Sequence, residues 1–306
     1  MDEKNIKEYI RALEHITVFL RNLLEEEKAM PLPGDSLKEL TELRMLSKSE
    51  AWPAAVPNEL LCEESDGAKM ARASGILQEF VKTEIEGKKF LDFGCGEGHV
   101  PFISASLYGC EFSAGYDVIR NPEWDKFHEK NRDLKNFSLT NNWEEVVANS
   151  PYDVIIANDV LDHSGDPIKA LQQIRSVKKD GTGKVFIRCH PWTSRHGTHL
   201  YRQLNKAYLH LVFSKEELYS MGLKEIATQP ALDPLGLYRL ILKDAGFTVI
   251  SEEMVTQPVE MFFTHNPLIL RRIKEKWKTS SDVDLANGTT FPREILEIQF
   301  VDYSLI

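Results

Sequence analysis

The chain reads as an α/β protein with a mostly parallel sheet carrying helices on both faces, and three observations lead there. Short apolar runs alternate with amphipathic stretches from about residue 89 onward, which is the pattern of strands joined by crossover helices. The first run, Lys89 to Phe93, ends on a glycine loop, Gly94-Cys95-Gly96-Glu97-Gly98. With 306 residues and 42% hydrophobic content, the chain can bury a full α/β core and still carry added elements.

The elements follow in order. Ile6, Tyr9, Leu13, Ile16, Leu20 and Leu23 recur at helical spacing, predicting a helix over residues 1 to about 30. Ile10 and Leu24 widen its apolar stripe, which suits docking on the chain's own core; a homodimer through this helix is the alternative. Pro31-Leu32-Pro33-Gly34 ends the helix, and a second runs from Ser36 to Ser47. Trp52-Pro53 and Val56-Pro57 mark an irregular stretch before a third helix, roughly Asp66 to Lys82. Residues 1–86 thus form an N-terminal helical extension.

Lys89 to Phe93 is the first strand. Phe112 to Val118 is the second, carrying Asp117, and Asn136 to Thr140 the third. Val154 to Ala157 is the fourth, Ile168 to Val177 an amphipathic helix, and Lys184 to Arg188 the fifth strand. Helices are expected from Leu200 to Leu211, Ser214 to Met221 and Leu235 to Ala245, the last stopped at Gly246 before a sixth strand, Phe247 to Ser251. The remaining strand is Val259 to Phe263 or the alternating stretch Leu296, Ile298, Phe300, with the second preferred. Thr279 to Thr290 reads as an exposed loop.

The glycine loop lets the chain turn sharply with its N–H groups exposed and no side chain in the way of a ligand. A dinucleotide site spaces its third glycine one residue later and needs no preceding acid. Here position 99 is His99, and Asp92 precedes Gly94, Gly96 and Gly98 at alternate positions. That spacing resembles motif I, D-x-G-x-G-x-G, of the class I S-adenosylmethionine-dependent methyltransferases, whose ligand has no phosphate and carries an amino-acid tail. Tyr152-Asp153-Val154-Ile155, Val160-Leu161-Asp162-His163, Asp166-Pro167, Lys178-Lys179-Asp180-Gly181 and Phe186 continue the likeness through about residue 190.

The resemblance implies a Rossmann-like, seven-stranded sheet over residues 87–306 and S-adenosylmethionine as cofactor. It implies loop contacts from Asp92, Gly94, Cys95, Gly96 and Gly98. Asp117, roughly 20 residues beyond the loop, stands where such folds place the acid for a ribose hydroxyl. After the third strand, Asn142 is the candidate for the adenine edge, and Trp143 either packs on the ring or is a buried structural residue. Asn158 falls near the methionine moiety, through its backbone more than its side chain.

After the fifth strand, residues 191–235 read as a lid insertion that binds the acceptor, at the end of the sheet where function concentrates. The lid and the residue before it supply His190, His196 and His199. They lack a helical i,i+4 pair and a completing cysteine or carboxylate, so no metal site is expected. A general base is the better reading, with His163, His190, His196 and His199 as candidates. Asp159 and Asp162 either orient a histidine or face solvent.

Composition narrows the acceptor. A net charge of −10 weighs against broad attraction to nucleic acid. Arg271, Arg272, Lys274, Lys276 and Lys278 read as a solvated helix face, or alternatively as a phosphate track. There is no [DNS]-P-P-[YFW] segment and no Pro-Cys pair, which disfavours DNA base methylation. Cys62, Cys95, Cys110 and Cys189 form no framework, so a reducing cytoplasmic setting is expected. No apolar run spans a bilayer and no signal pattern is seen, so no membrane partner is expected. The expectation is O- or N-methylation of a small-molecule acceptor; the rivals are an RNA-modifying enzyme and a non-catalytic cofactor-binding scaffold.

Overall fold

The computed structural model describes residues 37–61, 65–81, 83–131, 133–191, 193–195, 197–223, 235–277 and 296–306. The expected N-terminal helix, His196 and the Thr279 to Thr290 loop lie outside the described residues. Seven strands form one sheet in the order β3-β2-β1-β4-β5-β7-β6. They are β1 Lys89–Phe93, β2 Phe112–Tyr116, β3 Phe137–Thr140, β4 Val154–Asn158, β5 Lys184–Cys189, β6 Val249–Pro258 and β7 Leu296–Leu305. The pairings β1 with β2, β1 with β4, β2 with β3 and β4 with β5 are parallel; β5 with β7 is antiparallel. This is the mixed, mostly parallel Rossmann-like sheet expected.

The central strands are apolar throughout because both their faces are covered. Phe90, Leu91, Ile155, Ile156, Ala157, Val185 and Ile187 are fully buried. The helix Pro167–Val177 starts where its sequence directs: the Asp166 carboxylate accepts from the Lys169 N–H at 2.9 Å, and proline occupies the first turn. Ala170, Leu171, Ile174 and Val177 form its buried stripe.

The chain groups into two compact units. One holds Glu63–Cys189, Ile241–Glu253 and Val301–Ile306, and so contains the central sheet and the glycine loop. The other contains the described parts of Met1–Cys62, His190–Leu240 and Met254–Phe300. Its core centres on Trp52, 1% exposed, whose indole stacks on Phe213 at 6.3 Å and meets Phe263 edge-on at 5.5 Å. The Trp52 indole N–H donates to the Ala207 carbonyl at 2.9 Å. Asn205 accepts from the N–H groups of Ala55 and Val56 and donates to the Val56 carbonyl.

Several expected elements change. The helix expected over Leu200 to Leu211 is a 3-10 turn, Leu200–Arg202, and a separate helical turn, Leu209–Val212. His199 and Tyr208 take left-handed conformations (φ 55° and 58°), and the Ala207 N–H bonds to Pro53 rather than within a helix. Tertiary hydrogen bonds outweigh helical pattern there. The Asp66 helix becomes a π-helical turn after Gly75, over Ile76–Val81. Val259 to Phe263 is not a strand, since Met261–Thr264 is helical. Arg272, read as part of a solvated basic face on Pro267–Trp277, is 2% exposed; it donates to the Val212 carbonyl at 2.7 Å and to Glu217 at 3.0 Å. Among the described residues no helix is long and apolar enough to cross a membrane.

Candidate active site

The glycine loop leaves the carboxyl end of β1 and is pinned at its start to the end of β2. The N–H groups of Gly94 and Cys95 both donate to the Tyr116 carbonyl, at 2.7 and 3.0 Å, joining the loop to the end of β2. Gly94 has φ 85°, and a Cβ there would collide with the Val160 side chain after β4. Only glycine satisfies both conditions. Gly98, also left-handed, starts the helix His99–Ser106.

At the loop's crest, Gly96 takes φ 53° and has open space where a side chain would stand. Its N–H donates to the Asp117 carboxylate at 2.9 Å, and the second Asp117 oxygen accepts from the Ile119 N–H at 3.1 Å. A carboxylate offers about four lone-pair positions, so two acceptor positions remain. The Gly96 carbonyl accepts from the buried Trp124 indole N–H at 2.8 Å. Next to it, Glu97 bonds Lys69 at 2.7 Å and lies 3.5 Å from His99 Nδ1. The Glu97 hydrogen bond raises the Lys69 ammonium's pKa, and burial lowers that of the His99 imidazole.

Below the loop, Asp92 is 4% exposed on β1, paired in register with Gly115 of β2 and Ile156 of β4. Burial, reinforced by the charge of Asp117, pushes its carboxyl up to about 8. Burial likewise raises the Cys95 thiol, with Asp92 adding to the effect.

The strand ends beside the loop supply the remaining candidates. Asn142 caps the helix Trp143–Ala148, its side-chain carbonyl accepting from the Glu144 N–H at 3.0 Å. Trp143 meets Phe93 and Tyr116 edge-on, with centroids at 5.9 and 5.1 Å. Asn158 ends β4; its Nδ2 donates to Asp159, while its buried Oδ1 has no hydrogen-bond partner among the described residues. Asp159 follows in a left-handed conformation, φ 55°, which is costly for a residue other than glycine. The turn ends with buried Asp162 and exposed His163, whose Nε2 lies 3.7 Å from the Asp162 carboxylate.

Asp92, Gly94, Cys95, Gly96, Gly98, Asp117, Asn142, Trp143, Asn158 and His163 therefore all belong to the unit holding the central sheet. His190 and His199 belong to the other unit, where His199 Nδ1 lies 3.5 Å from the Tyr201 hydroxyl. Lys69 and Trp124 were not singled out from sequence. Their contacts with the loop span 28 residues in each case and follow no motif spacing.

A family model described as a methyltransferase domain matches residues 67–252, more than half of the chain. No curated protein matches. Among solved structures, the chain is similar to coclaurine N-methyltransferase bound to N-methylheliamine and SAH, with 13% identity and a TM-score of 0.47 over 100% of this chain and 95% of that one. It is also similar to an S-adenosylmethionine-dependent methyltransferase from Mesorhizobium loti, with 14% identity and a TM-score of 0.44 over 78% and 98% of the two chains. A third is magnesium protoporphyrin IX methyltransferase from Synechocystis with bound SAH, at 13% identity and a TM-score of 0.43, covering 78% and 81%.

Proposed function

The chain belongs to the methyltransferase-domain family and is a class I S-adenosylmethionine-dependent methyltransferase; from that premise we propose that it methylates an oxygen or nitrogen of a small-molecule acceptor, with a histidine receiving the acceptor's proton. When bound, S-adenosylmethionine supplies an electrophilic methyl carbon on a sulfonium centre. The chain's residues fit that group. Gly96 gives an open cradle, Asn158 Oδ1 is a buried acceptor in want of a donor, and Asp117 keeps two acceptor positions for ribose hydroxyls. Asn142 spends its carbonyl on capping and one Nδ2 hydrogen on Glu145 at 3.5 Å, which leaves the second for the adenine edge; Trp143 stays half-buried beside it.

The observation that carries the reading is the Asp162–His163 pair at the carboxyl end of β4, the end of a parallel sheet where ligands bind. With the cofactor bound and supplying its methyl group to the acceptor, His163 would take the proton that the acceptor's O–H or N–H gives up. Asp162, whose carboxylate lies 3.7 Å from Nε2, orients the ring. We assign 1–86 to the N-terminal extension, 87–306 to the methyltransferase domain and 191–235 within it to acceptor recognition, with His190 and His199 as second candidates for the base. The buried Glu217 partnership of Arg272 removes that residue from a phosphate track and favours a small acceptor over RNA.

The test is methyl incorporation from labelled S-adenosylmethionine into separate pools of small hydroxyl and amine compounds, RNA and protein. Incorporation is expected in a small-molecule pool. His163→Ala is expected to lower kcat by about 10²–10⁴ while leaving cofactor affinity unchanged. Labelling confined to RNA or protein, or an unaltered kcat in the variant, would overturn the reading.

A further inference from the structure

Glu97 is the one charged side chain of the glycine loop, and both of its neighbours are glycines. Gly96 and Gly98 take left-handed conformations, φ 53° and 93°, and glycine reaches other conformations at little cost. The start of the loop is tied to β2 through its main chain, whereas Glu97 is gripped through its side chain.

That grip comes from outside the sheet. Lys69 stands on the helix Asp66–Gly75, which Ser65 caps and which packs through Met70 and Ala73 on the core around Val100 and Ile103. Its ammonium donates to Glu97 Oε2 at 2.7 Å, with the lysine side chain 17% and the glutamate side chain 37% exposed. The same oxygen lies 3.5 Å from His99 Nδ1, and the His99 ring meets Phe127 edge-on at 4.9 Å. Phe127 belongs to the helix Glu123–Lys130, whose Trp124 holds the Gly96 carbonyl. The π-helical turn Ile76–Val81 follows Gly75 directly and shifts the helical phase between Lys69 and the residues after it. Such turns are frequent where a helix serves a site.

We propose that Lys69 is a positioning residue for methyl transfer: acting through Glu97, it holds the crest of the glycine loop in the form that receives the cofactor, so the helix Asp66–Gly75 is a latch on the cofactor site. Lys69 meets neither cofactor nor acceptor in this assignment. The pair is partly exposed, so the latch governs a modest factor in affinity. Its loss loosens the loop as a whole, and a ligand without the amino-acid tail is affected as much as one that carries it. The proposal deepens the cofactor reading and rests on it.

The experiment is calorimetric titration of the full chain and of Lys69→Met, Glu97→Gln, the double variant and Lys69→Arg. The probes are S-adenosylmethionine and 5′-methylthioadenosine, which keeps the adenosine and sulfur but lacks the amino-acid tail. Each single change to Met or Gln is expected to weaken both probes by a similar factor, about two- to tenfold. The double variant is expected to lose no more than either single one, because the two residues act as one pair. Lys69→Arg keeps the charge and is expected to recover most of the affinity, which a role in packing alone would not require. Unchanged affinity in Lys69→Met would overturn the proposal. Losses that add in the double variant would do the same, as would a loss confined to S-adenosylmethionine, which would put Lys69 on the ligand's tail. Failure of Lys69→Arg to recover affinity would assign Lys69 to helix packing instead. If neither probe binds the unaltered protein, the cofactor reading itself falls.

Discussion

The glycine loop and the segment from His190 to Leu223 are both rich in turns, but they are held by bonds of very different reach. The loop is fixed by neighbours close in the chain: Tyr116 and Asp117 from the next strand, and Trp124 and Lys69 across 28 residues. The segment is fixed from far away. Asn205 reaches Val56 across 149 residues, the Trp52 indole reaches Ala207 across 155, and Lys206 reaches Ser49 across 157. The cofactor end is thus specified by a local motif that needs little else, whereas the segment assigned to the acceptor is specified only when distant parts of the chain come together. Such a division lets one cofactor loop serve many acceptors through changes elsewhere.

This contrast predicts that the two regions fail differently. The largest effect is expected at Arg272. Arg272→Ala leaves Glu217, itself only 9% exposed, without its cation and is expected to cost about 3–5 kcal/mol in denaturant unfolding. Replacing both partners by apolar residues, Arg272→Met with Glu217→Leu, is expected to restore most of that. A loss under about 1 kcal/mol in the single variant would show that the pair does not organise this unit. The smaller effect is expected at Trp124. Trp124→Phe removes one hydrogen bond to the Gly96 carbonyl, so cofactor affinity is expected to weaken by roughly two- to tenfold, the equivalent of about 0.5–1.5 kcal/mol. Unchanged affinity, with a large loss of stability instead, would mean that Trp124 serves the core rather than the loop.

The same contrast explains what the sequence made legible. The strands β1 to β5 and the glycine loop follow from periodicity and from residue types with one physical use, and each stands where expected. The Leu200 to Leu211 stretch carried a helical pattern, but Tyr208 within it is left-handed, and the Ala207 and Tyr208 N–H groups bond to the Pro53 and Arg195 carbonyls, which no local pattern records. Arg272 looked like one more solvated charge because its partner lies 55 residues away.

The most direct test of the account is calorimetric titration of S-adenosylmethionine into the unaltered protein and Asp117→Ala. The carboxylate bonds the Gly96 and Ile119 N–H groups, and it is assigned the ribose hydroxyls. Saturable binding that the substitution weakens at least about tenfold is predicted, since each charged hydrogen bond contributes about 1.5–3 kcal/mol. Equal affinity in the two proteins would contradict the placement of the cofactor over the glycine loop.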